Sequence, residues 1–558
     1  MTPTLGRDVP GRTQFQHNCQ PRPPSSHPPE MSANATTTSD FDFDFDFDCI
    51  VVGSGHAGSC AALAAHDAGC KRVLIVDKCP PEWVGGNGYF TAGAHRTVHG
   101  GLQDLLPIVT NVSPDAAKNI DMDPYTADDF TRDIMRLGEG RPDPQVVKAV
   151  VDGSRDAVGW LRERVGVPFI FSFHRQAYLV NGRQVFWGGL ALGVDHDGGK
   201  GLIAAHRAAL EAAGIETWFD TPATEIAVEG GSIVGLVVSR GGKAKTLRSP
   251  AVVLACGGFE SSRALRSQYL GPDWERAKVR GTPYNTGDGL LLAQRVGARL
   301  TGDFKGCHST CWDANAPDDR GDRVLSNQFT KSGYPLGLML NARGVRFVDE
   351  GEDFRNYTYA KFGREIMAQP GGYAFQVYDS TVVPWLRKEE YADDVVEKIW
   401  ADTIEELAAK LLEKGLEDKD AFFHSITRYN DATRAFKAEK ADARWDPAVK
   451  DGVSTQSSSL KLDLPKSNWA LPLENGPFLA VKVTCGITFT FGGLAIDPET
   501  AGVISGATGK PIRGLFCTGE LVGGLFYSNY PGGSGLTGGA VFGRKAGQEA
   551  AKLAKEAA

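Results

Sequence analysis

The segment Gly53-Ser-Gly55-His-Ala-Gly58 has the spacing of a turn that binds dinucleotide phosphates. Its first glycine permits a tight turn, its second lets a pyrophosphate approach the backbone, and its third allows a helix to pack closely on a strand. A helix that begins here offers free N–H groups and the positive end of its dipole to the phosphates. The segment therefore predicts a nucleotide-binding turn between a strand and a helix.

An acidic residue follows where a ribose contact requires one. Asp77 lies 24 residues after Gly53, at the end of the apolar run Val73-Leu-Ile-Val76. A carboxylate at the end of the second strand of a βαβ unit accepts hydrogen bonds from ribose hydroxyls. This unit by itself is compatible with NAD or with FAD.

Further glycine-rich segments favour FAD. They lie at residues 85–88, 254–258, 285–289, 514–520 and 532–537. A glycine turn lets a ligand approach the backbone, and a long ligand touched from distant parts of the chain needs many such turns. FAD, with its isoalloxazine, ribityl and adenylate parts, is such a ligand.

The hydrophobic pattern predicts an α/β fold, in which a Rossmann-like FAD-binding domain with a parallel central sheet is interrupted by an α+β capping domain. We expect a first strand at 48–52 and a small sheet, layered on the first, from strands at 225–228, 233–238 and 251–254. Helices are expected at 57–69, 145–165, 201–213, 287–297, 402–415, 421–437 and 536–556.

The predicted domain boundaries follow changes in composition. Residues 1–45 are predicted to be a disordered extension, because residues 1–40 carry seven prolines and little apolar content, and Met31 is an alternative start. Residues 46–305 and 476–558 form the two parts of the FAD-binding domain. Residues 306–475, richer in charge and aromatic side chains, form the capping, substrate-binding domain.

Composition excludes several classes of protein. The net charge of −8 argues against a nucleic-acid-binding surface, and no apolar run is long enough for a membrane helix. The ten cysteines form no CxxC pair, and Cys307 and Cys311 lack a second ligand pair, so we expect no metal site. Scattered cysteines suit a reducing compartment, which predicts a cytoplasmic protein.

From residue 48 onward the chain resembles the fumarate reductase/succinate dehydrogenase flavoprotein family, the FAD-binding type 2 oxidoreductases. The resemblance rests on the segments VVGSGHAG, GGNGYFTAGA, VVLACGGFE, NTGDG, LNARGVRFVDE, FCTGELVGG and GGSGLTGGAVFGRKAG. The segments FVDEGEDFRNYTYAKFG and LFYSNYPGGSGLTGGAVFGR most resemble the tricarballylate dehydrogenases, which form cis-aconitate with FAD. The family implies a capping domain over the flavin, and no histidine segment matches a covalent attachment, so we expect non-covalent FAD.

The residues expected to bind the cofactor are those of the glycine turns and their neighbours. They are Gly53, Ser54, Gly55, Ala57, Gly58, Asp77, Lys78, Gly85, Gly86, Asn87, Gly88, Ala223, Asp288, Glu520, Gly535 and Leu536.

The resemblance also points to the reacting groups. Oxidation of a C–C bond beside a carboxylate removes an α-proton to a base and a β-hydride to the flavin, and fixed cations or N–H donors stabilise the charge that develops. Arg355 lies, with a one-residue shift, near the position of the family's catalytic arginine. Three roles are open for Arg355. It donates or accepts a proton, it binds a substrate carboxylate with paired hydrogen bonds, or it is a structural residue. His308 matches a substrate-binding histidine, and a structural role for it stays open.

Two departures from the family pattern bear on the substrate. Thr488-Phe489 stands where fumarate reductases carry paired histidines, and Tyr530 stands where they carry an arginine. Without these histidines and this arginine, a site that binds two carboxylates has fewer hydrogen-bond donors. Ser528-Asn-Tyr-Pro-Gly-Gly533 resembles instead the 3-ketosteroid dehydrogenases, whose tyrosine binds a carbonyl. Tyr527 competes with Tyr530 for this role.

The expected function is therefore an FAD-dependent dehydrogenase that acts α,β to a carboxylate or carbonyl, similar to the tricarballylate dehydrogenases. Alternatives are a fumarate-type alkene reductase, a 3-ketosteroid-type 1,2-dehydrogenase and, outside catalysis, a structural flavoprotein. The expected partners are a small carboxylate substrate and an electron acceptor that the sequence does not identify, with no nucleic acid and no membrane.

Overall fold

A computed structural model describes residues 46–186 and 188–558, which form twenty strands. The predicted extension, residues 1–45 with Met31, lies outside these residues. The strands are β1 Cys49–Val52, β2 Val73–Val76, β3 Ile120–Met122, β4 Phe169–Phe171, β5 Ala177–Val180, β6 Arg183–Phe186, β7 Leu192–Val194, β8 Glu216–Trp218, β9 Ala223–Glu229, β10 Ser232–Arg240, β11 Lys243–Arg248, β12 Val252–Leu254, β13 Lys278–Val279, β14 Leu300–Asp313, β15 Leu338–Asn341, β16 Tyr373–Tyr378, β17 Ile399–Ala401, β18 Phe478–Leu494, β19 Gly502–Ile504 and β20 Pro511–Cys517.

The described residues also form fourteen α-helices, which include every helix that the sequence predicts, with ends shifted by a few residues. The helices are α1 His56–Asp67, α2 Leu102–Leu105, α3 Pro114–Ala117, α4 Ala127–Leu137, α5 Pro144–Trp160, α6 Phe173–Gln176, α7 Gly199–Ala212, α8 Arg263–Tyr269, α9 Asp288–Arg295, α10 Arg355–Thr358, α11 Phe362–Met367, α12 Ile404–Leu412, α13 Lys419–Glu439 and α14 Ser534–Glu556.

The central sheet has the strand order β19-β20-β12-β1-β2-β8. All its pairs are parallel except β19 with β20, and β1 and β2 are buried along their whole length. Strands covered on both faces read as continuous apolar runs, which is the pattern from which β1 and β2 were predicted. The α/β fold class is confirmed.

One predicted strand belongs to a different sheet. Strands β9, β10 and β11 form a small antiparallel sheet, but β12, predicted as part of it, lies in the central sheet between β1 and β20. The prediction was wrong because β12 follows the strands of the small sheet closely in sequence, whereas its partners β1 and β20 lie far away in the chain and decide its place. At this position its carboxyl end lies beside the carboxyl end of β1.

The last helix closes the nucleotide side of the sheet. Helices α14 and α1 approach so closely that a side chain at Gly547 would place its Cβ 2.3 Å from the carbonyl oxygen of Ala61. The glycines Gly543 and Gly547 lie four residues apart on this face of α14, as the helical repeat requires. The chain end is thereby held against the first helix of the nucleotide turn.

A second six-stranded sheet carries the other end of the site. Its long strand β18 pairs with β13, β14, β16 and β17, and β15 pairs with β16. The register places His308 of β14 opposite Phe489 of β18. Arg355 begins the short helix α10, in the connection between β15 and β16.

Candidate active site

The turn after β1 has the geometry that its glycines predict. Gly53 has a φ of 110°, and a Cβ there would lie 2.3 Å from the carbonyl oxygen of Ala255. A Cβ at Gly58 would lie 2.0 Å from the carbonyl oxygen of Gly53, so α1 packs directly on the turn. At Gly55 the nearest atom to such a Cβ is 3.6 Å away. The protein leaves open space at Gly55, the glycine expected to face the pyrophosphate.

Asp77 is fixed at the end of β2 by three donors. Its Oδ2 accepts hydrogen bonds from the backbone N–H and the hydroxyl of Ser54, both at 2.7 Å, and its Oδ1 accepts from the N–H of Cys79 at 2.9 Å. A carboxylate has about four acceptor positions. Asp77 therefore keeps capacity for a ribose hydroxyl, while Ser54 acts as its support.

Lys78 and Asp288 form an ion pair with each other. The Lys78 ammonium also donates to the hydroxyl of Thr286, at 2.5 Å, in the turn before α9. Both residues were predicted as cofactor-binding, and the structure brings them together across 210 residues of sequence. The pair joins the loop after β2 to the start of α9 at the edge of the nucleotide end.

One cavity, of about 350 Å³, runs from this turn to the second sheet. Thirteen of the sixteen predicted cofactor residues line it; the other three are Ser54, which holds Asp77, and Gly58 and Gly85, which pack against Gly53 and Ile203. The predicted reacting residues Arg355, His308 and Tyr530 line the same cavity at its far end. The structure therefore brings the nucleotide turn and the predicted chemistry into one space.

Three arginines and one glutamate converge at the far end. Arg355 donates from Nη1 to the hydroxyl of Ser332 at 3.1 Å and from Nη2 to the carbonyl of Arg175 at 2.6 Å. Glu390, fully buried, lies 3.3 Å from Nη1 of Arg387 and 3.8 Å from Nη1 of Arg175. Burial alone would raise the pKa of the Glu390 carboxyl, but Arg387, Arg175 and Arg355 together lower it to about 2. Glu390 is thus a permanent anion among three cations.

A fourth arginine, Arg280, lies on the other side of this space and is 8% exposed. Its Nη1 donates to the Thr488 hydroxyl at 2.9 Å, and its Nη2 donates to the side-chain oxygen of Asn327. Its buried Nε has no hydrogen-bond partner among the described residues. Thr488, one of the two residues predicted to stand in place of paired histidines, here accepts a hydrogen bond from an arginine.

His308 is a neutral imidazole. Its ring stacks on Phe489 with 5.4 Å between centroids and lies edge-on to Tyr359 at 5.1 Å. Burial first, and the charge of Arg280 second, lower the pKa of His308 well below its ordinary value of 6.5. Its buried Nδ1 has no partner within the described chain. A neutral histidine with an unpaired nitrogen can bind a substrate oxygen or orient it.

Tyr530 pairs with a tyrosine from the loop that carries Arg355. The hydroxyls of Tyr530 and Tyr359 lie 2.5 Å apart, and the Tyr530 ring packs edge-on against Phe489 and Phe526 at 5.1 Å. Burial and the neighbouring Tyr359 raise the pKa of Tyr530 well above its ordinary value. Tyr530 is therefore a neutral hydroxyl that can donate a hydrogen bond into the cavity.

The other two tyrosines face elsewhere. Tyr527 does not line the cavity, and its ring lies 5.0 Å from the guanidinium of Arg141. Tyr357 donates to Asp133 at 2.7 Å and to the carbonyl of Gly188 at 2.9 Å. Of these four tyrosines, Tyr530 and Tyr359 are the two that line the cavity.

Sequence reasoning missed Arg175, Arg280, Arg387 and Glu390. Arg280 lies five residues before the Asn285-Thr-Gly-Asp-Gly289 turn, and that proximity could have indicated it. The other three lie in segments without a motif and reach the cavity only through the fold.

The described residues include one cluster with metal-ligand chemistry, His56, Cys60 and His206. Nδ1 of His56 lies 2.8 Å from Nε2 of His206, and Nε2 of His56 lies 2.9 Å from the carbonyl oxygen of Leu536. Burial raises the pKa of the Cys60 thiol far above its ordinary value. Hydrogen bonding between the two histidines accounts for this arrangement.

The residues at the nucleotide end fit FAD. Helix α1 begins without a side-chain cap and without an acidic residue in its first turn, so its N–H groups stay available to an anion. The space left at Gly55 and the carboxylate of Asp77 match a pyrophosphate and a ribose. The length of the cavity beyond them suits a cofactor with a second, planar end.

The fold and this site define a flavoprotein oxidoreductase, and sequence comparison agrees. The model of a family described as FAD binding domain matches residues 48–104 and 113–536, and the chain belongs to this family. FAD as the cofactor and an oxidoreductase as the class of enzyme are thereby confirmed.

The chain is similar to fumarate reductases. It is 27% identical to the NADH:fumarate oxidoreductase of Klebsiella pneumoniae over 91% of its own length and 48% of that protein. It is 29% identical to a probable fumarate reductase of Shewanella frigidimarina, over 90% of its length and 75% of that protein. The chain thus spans about half of the first relative and three quarters of the second.

Solved structures show the same architecture. The open conformation of a flavocytochrome c3 fumarate reductase has a TM-score of 0.66 and 26% identity, with 92% of this chain and 79% of that chain covered. The 3-ketosteroid delta1-dehydrogenase of Sterolibacterium denitrificans has a TM-score of 0.67 at 21% identity, with 91% and 99% covered, and shares the fold. Among the described residues no helix has the length and apolar character to cross a membrane.

Proposed function

We propose that the protein moves a hydride between FAD and a C–C bond that lies α,β to a carboxylate, in a small substrate with more than one carboxylate. The observation that carries the proposal is the convergence of Arg175, Arg280, Arg355 and Arg387 on one end of the cofactor cavity, against the single carboxylate of Glu390. Guanidinium groups bind carboxylates with paired hydrogen bonds. An excess of positive charge on the wall of this cavity favours an anionic substrate.

FAD, when bound, supplies the hydride acceptor or donor. Arg355 is the group proposed to handle the α-proton or to pair with the carboxylate beside it. Its own donors hold Ser332 and the Arg175 backbone, so its position is fixed from two sides. Preorganised donors of this kind stabilise developing charge without reorganisation at the moment of reaction.

Tyr530 is proposed to donate a hydrogen bond to the enolate-like oxygen that forms when the α-proton leaves. The Tyr359 hydroxyl, 2.5 Å away, orients it. His308, neutral and stacked on Phe489, binds a further substrate oxygen. Arg355 and Tyr359 come from the segment 306–475, which we propose as the capping domain, and Tyr530 comes from the returning segment 476–558.

A tricarballylate-like substrate is the specific form of this proposal. One support is the resemblance of the segments around Arg355 and Tyr530 to the tricarballylate dehydrogenases. The other is the number of arginines in the cavity, because four guanidinium groups are more than a single carboxylate requires. The reverse reaction, reduction of an alkene, is supported by the names of the relatives, which include fumarate and urocanate reductases. We further propose a cytoplasmic location, because the nine cysteines of the described residues are free.

The test is an anaerobic panel of tricarboxylates, dicarboxylates and enones added to the purified, FAD-loaded protein. Bleaching of the oxidised flavin absorbance by a saturated polycarboxylate supports the dehydrogenase. Reoxidation of dithionite-reduced protein by an unsaturated carboxylate supports the reductase. Bleaching by cyclic ketones alone would replace the carboxylate proposal with a 1,2-dehydrogenase. A response to no compound would favour a non-catalytic flavoprotein.

A further inference from the structure

Two buried glutamates meet at the wall of the cofactor cavity. Glu520 lines the cavity, and Glu260, fully buried, lies behind it. Their carboxyl groups lie against one side-chain amide, because Nδ2 of Asn285 is 2.7 Å from Oε1 of Glu260 and 3.5 Å from Oε2 of Glu520. They come from opposite ends of the fold, since Glu260 follows β12 and Glu520 follows β20. Neither the nucleotide turn nor the proposed chemistry accounts for Glu260.

The donors around the pair are uncharged, and they leave one carboxylate oxygen without a partner. Oε1 of Glu260 accepts from the side-chain amides of Asn87 at 2.6 Å and Asn285 at 2.7 Å. Oε1 of Glu520 accepts from the N–H of Thr490 at 2.8 Å. Oε2 of Glu260 is buried and has no donor among the described residues. A proton between the two carboxyls is the donor that this oxygen lacks.

Cations do not neutralise the pair. Within the described chain neither carboxylate forms an ion pair, and the charged group that lies against them, Arg266, donates from Nη1 to the backbone carbonyl of Glu260. The other side chains that face the pair, Asn87, Asn285 and Thr490, do not titrate. Two buried carboxylates in contact without a cation are costly, and one of them takes up a proton.

We infer that Glu260 and Glu520 hold one proton between them, so that Glu260 is a positioning residue that keeps Glu520 a neutral acid at the wall of the FAD cavity. Glu520 then faces the cofactor as a neutral carboxyl that can donate a hydrogen bond. The pair carries one negative charge, and the cofactor does not face a second one. Burial first and the charge of Glu260 second raise the pKa of Glu520 well above its ordinary value of 4.5. The inference rests on bound FAD and on no property of the substrate.

The proton has a measurable consequence for stability. The folded protein holds it above the pH at which an unfolded glutamate loses it, so the stabilisation is complete below about pH 4.5 and is lost as the pH rises through the raised pKa. Within that window the unfolding equilibrium constant should increase about tenfold per pH unit through this one proton.

The experiment is urea unfolding of the FAD-loaded protein between about pH 5 and pH 9, without substrate, for the wild type, Glu260→Gln and the exposed control Glu275→Gln. The amide of Glu260→Gln accepts from Asn87 and Asn285 and donates to Glu520, so no shared proton is needed. The slope of the unfolding free energy against pH measures how many more protons the folded state binds than the unfolded state. We expect this number to be smaller by one in Glu260→Gln and to stay at the wild-type value in Glu275→Gln. Equal slopes in all three proteins would overturn the inference.

Infrared spectroscopy provides a second measurement in case Glu260→Gln does not fold. The wild type at neutral pH should show the carbonyl band of a buried, protonated carboxyl that shifts in D₂O and is missing in Glu520→Gln. Absence of such a band from the wild type contradicts the shared proton. Because neither measurement uses substrate or turnover, failure here is distinct from failure of the proposed reaction.

Discussion

The hydroxyls of Tyr359 and Tyr530 lie 2.5 Å apart, although 171 residues separate them in sequence. One tyrosine follows α10, which begins at Arg355, and the other precedes the glycines at the start of α14. Their contact ties the proposed cap to the returning segment at the reacting end of the cavity. It also makes the role of Tyr530 testable, because a phenylalanine keeps the ring and removes only the hydroxyl.

Tyr530→Phe should lower the rate of flavin reduction by about 10²–10³-fold, the usual loss for one donor to a developing oxyanion. FAD content should stay at the wild-type level, because no described contact links this hydroxyl to the nucleotide turn. The measurement is single-turnover absorbance with saturating substrate. Tyr527→Phe, which alters a ring outside the cavity, is the matched control. A wild-type rate in Tyr530→Phe would show that Tyr530 only lines the cavity and that its hydroxyl takes no part in the reaction.

Arg355→Lys should also reduce flavin slowly, by at least about 10²-fold. Lysine keeps the charge but cannot hold Ser332 and the Arg175 carbonyl with one planar group while it pairs with a substrate carboxylate. The exposed Arg343→Lys is the control for the same exchange nearby. If Arg355→Lys turns over normally, the assignment of Arg355 is wrong, and the other arginines of the cavity, Arg175, Arg280 and Arg387, become the candidates.

Two glycines of the nucleotide turn, Gly55 and Gly58, should respond differently to a side chain. Gly55→Val should fold, because a Cβ there meets nothing closer than 3.6 Å, and should lose FAD, because the side chain occupies the phosphate position. Gly58→Val should not fold, because its Cβ would lie 2.0 Å from a carbonyl oxygen. Circular dichroism and flavin content of both variants separate the two effects. Full FAD occupancy in Gly55→Val would place the nucleotide elsewhere.

Asp77→Ala should weaken FAD binding by about 1–3 kcal/mol, the cost of an unpaired buried polar partner. Part of this loss comes from Ser54, because its backbone N–H and its hydroxyl both donate hydrogen bonds to the Asp77 carboxylate that the variant removes. Titration of the apo-protein with FAD, followed by flavin fluorescence, measures it. Ser54→Ala removes one of these donors and leaves the carboxylate, so its loss should be smaller. Equal affinity for wild type and Asp77→Ala would exclude the ribose contact.

Glu390→Gln should destabilise the protein at neutral pH by about 1.5–3 kcal/mol, the usual contribution of a hydrogen bond to a charged group, because it removes the counter-charge of the partly buried Arg175 and Arg387. The pKa of Glu390 is lowered to about 2, so its stabilisation is present above the ordinary glutamate pKa and is lost as the pH falls through about 2. Urea unfolding at neutral and acidic pH should show the difference between wild type and variant shrinking in acid. The exposed neighbour Glu389→Gln should match the wild type, and a similar loss there would refute a specific role.

His308 should not contribute a titration to the pH–rate profile. Its pKa is far below 6.5, so the imidazole is neutral throughout the physiological range. His308→Asn should lower the rate without changing the shape of the flavin-reduction profile between about pH 5 and pH 8. A wild-type inflection near neutrality that disappears in His308→Asn would show that the histidine transfers a proton.

The sequence by itself determined the nucleotide end of the protein. The strand β1, the turn at Gly53, the helix α1 and the acid at Asp77 lie within one βαβ unit. Their order and spacing fix how they pack, because a turn, a helix dipole and a short crossover act over neighbouring residues. The resemblance of the later segments to a known family extended this to FAD and to three residues proposed to react, Arg355, His308 and Tyr530.

Only the tertiary structure decided what surrounds those groups. Arg175, Arg280, Arg387 and Glu390 come from separate segments without a motif, and their charges act together only because the two sheets bring them to one cavity. The same holds for β12, whose partners β1 and β20 are distant in sequence, and for Glu260 and Glu520, whose shared environment depends on the adjacent ends of β12 and β20. A local sequence pattern indicates the tendency of a segment to form a strand or a helix. Which strands pair, and which charged side chains meet, across hundreds of residues depends on the burial and charge that the complete fold creates.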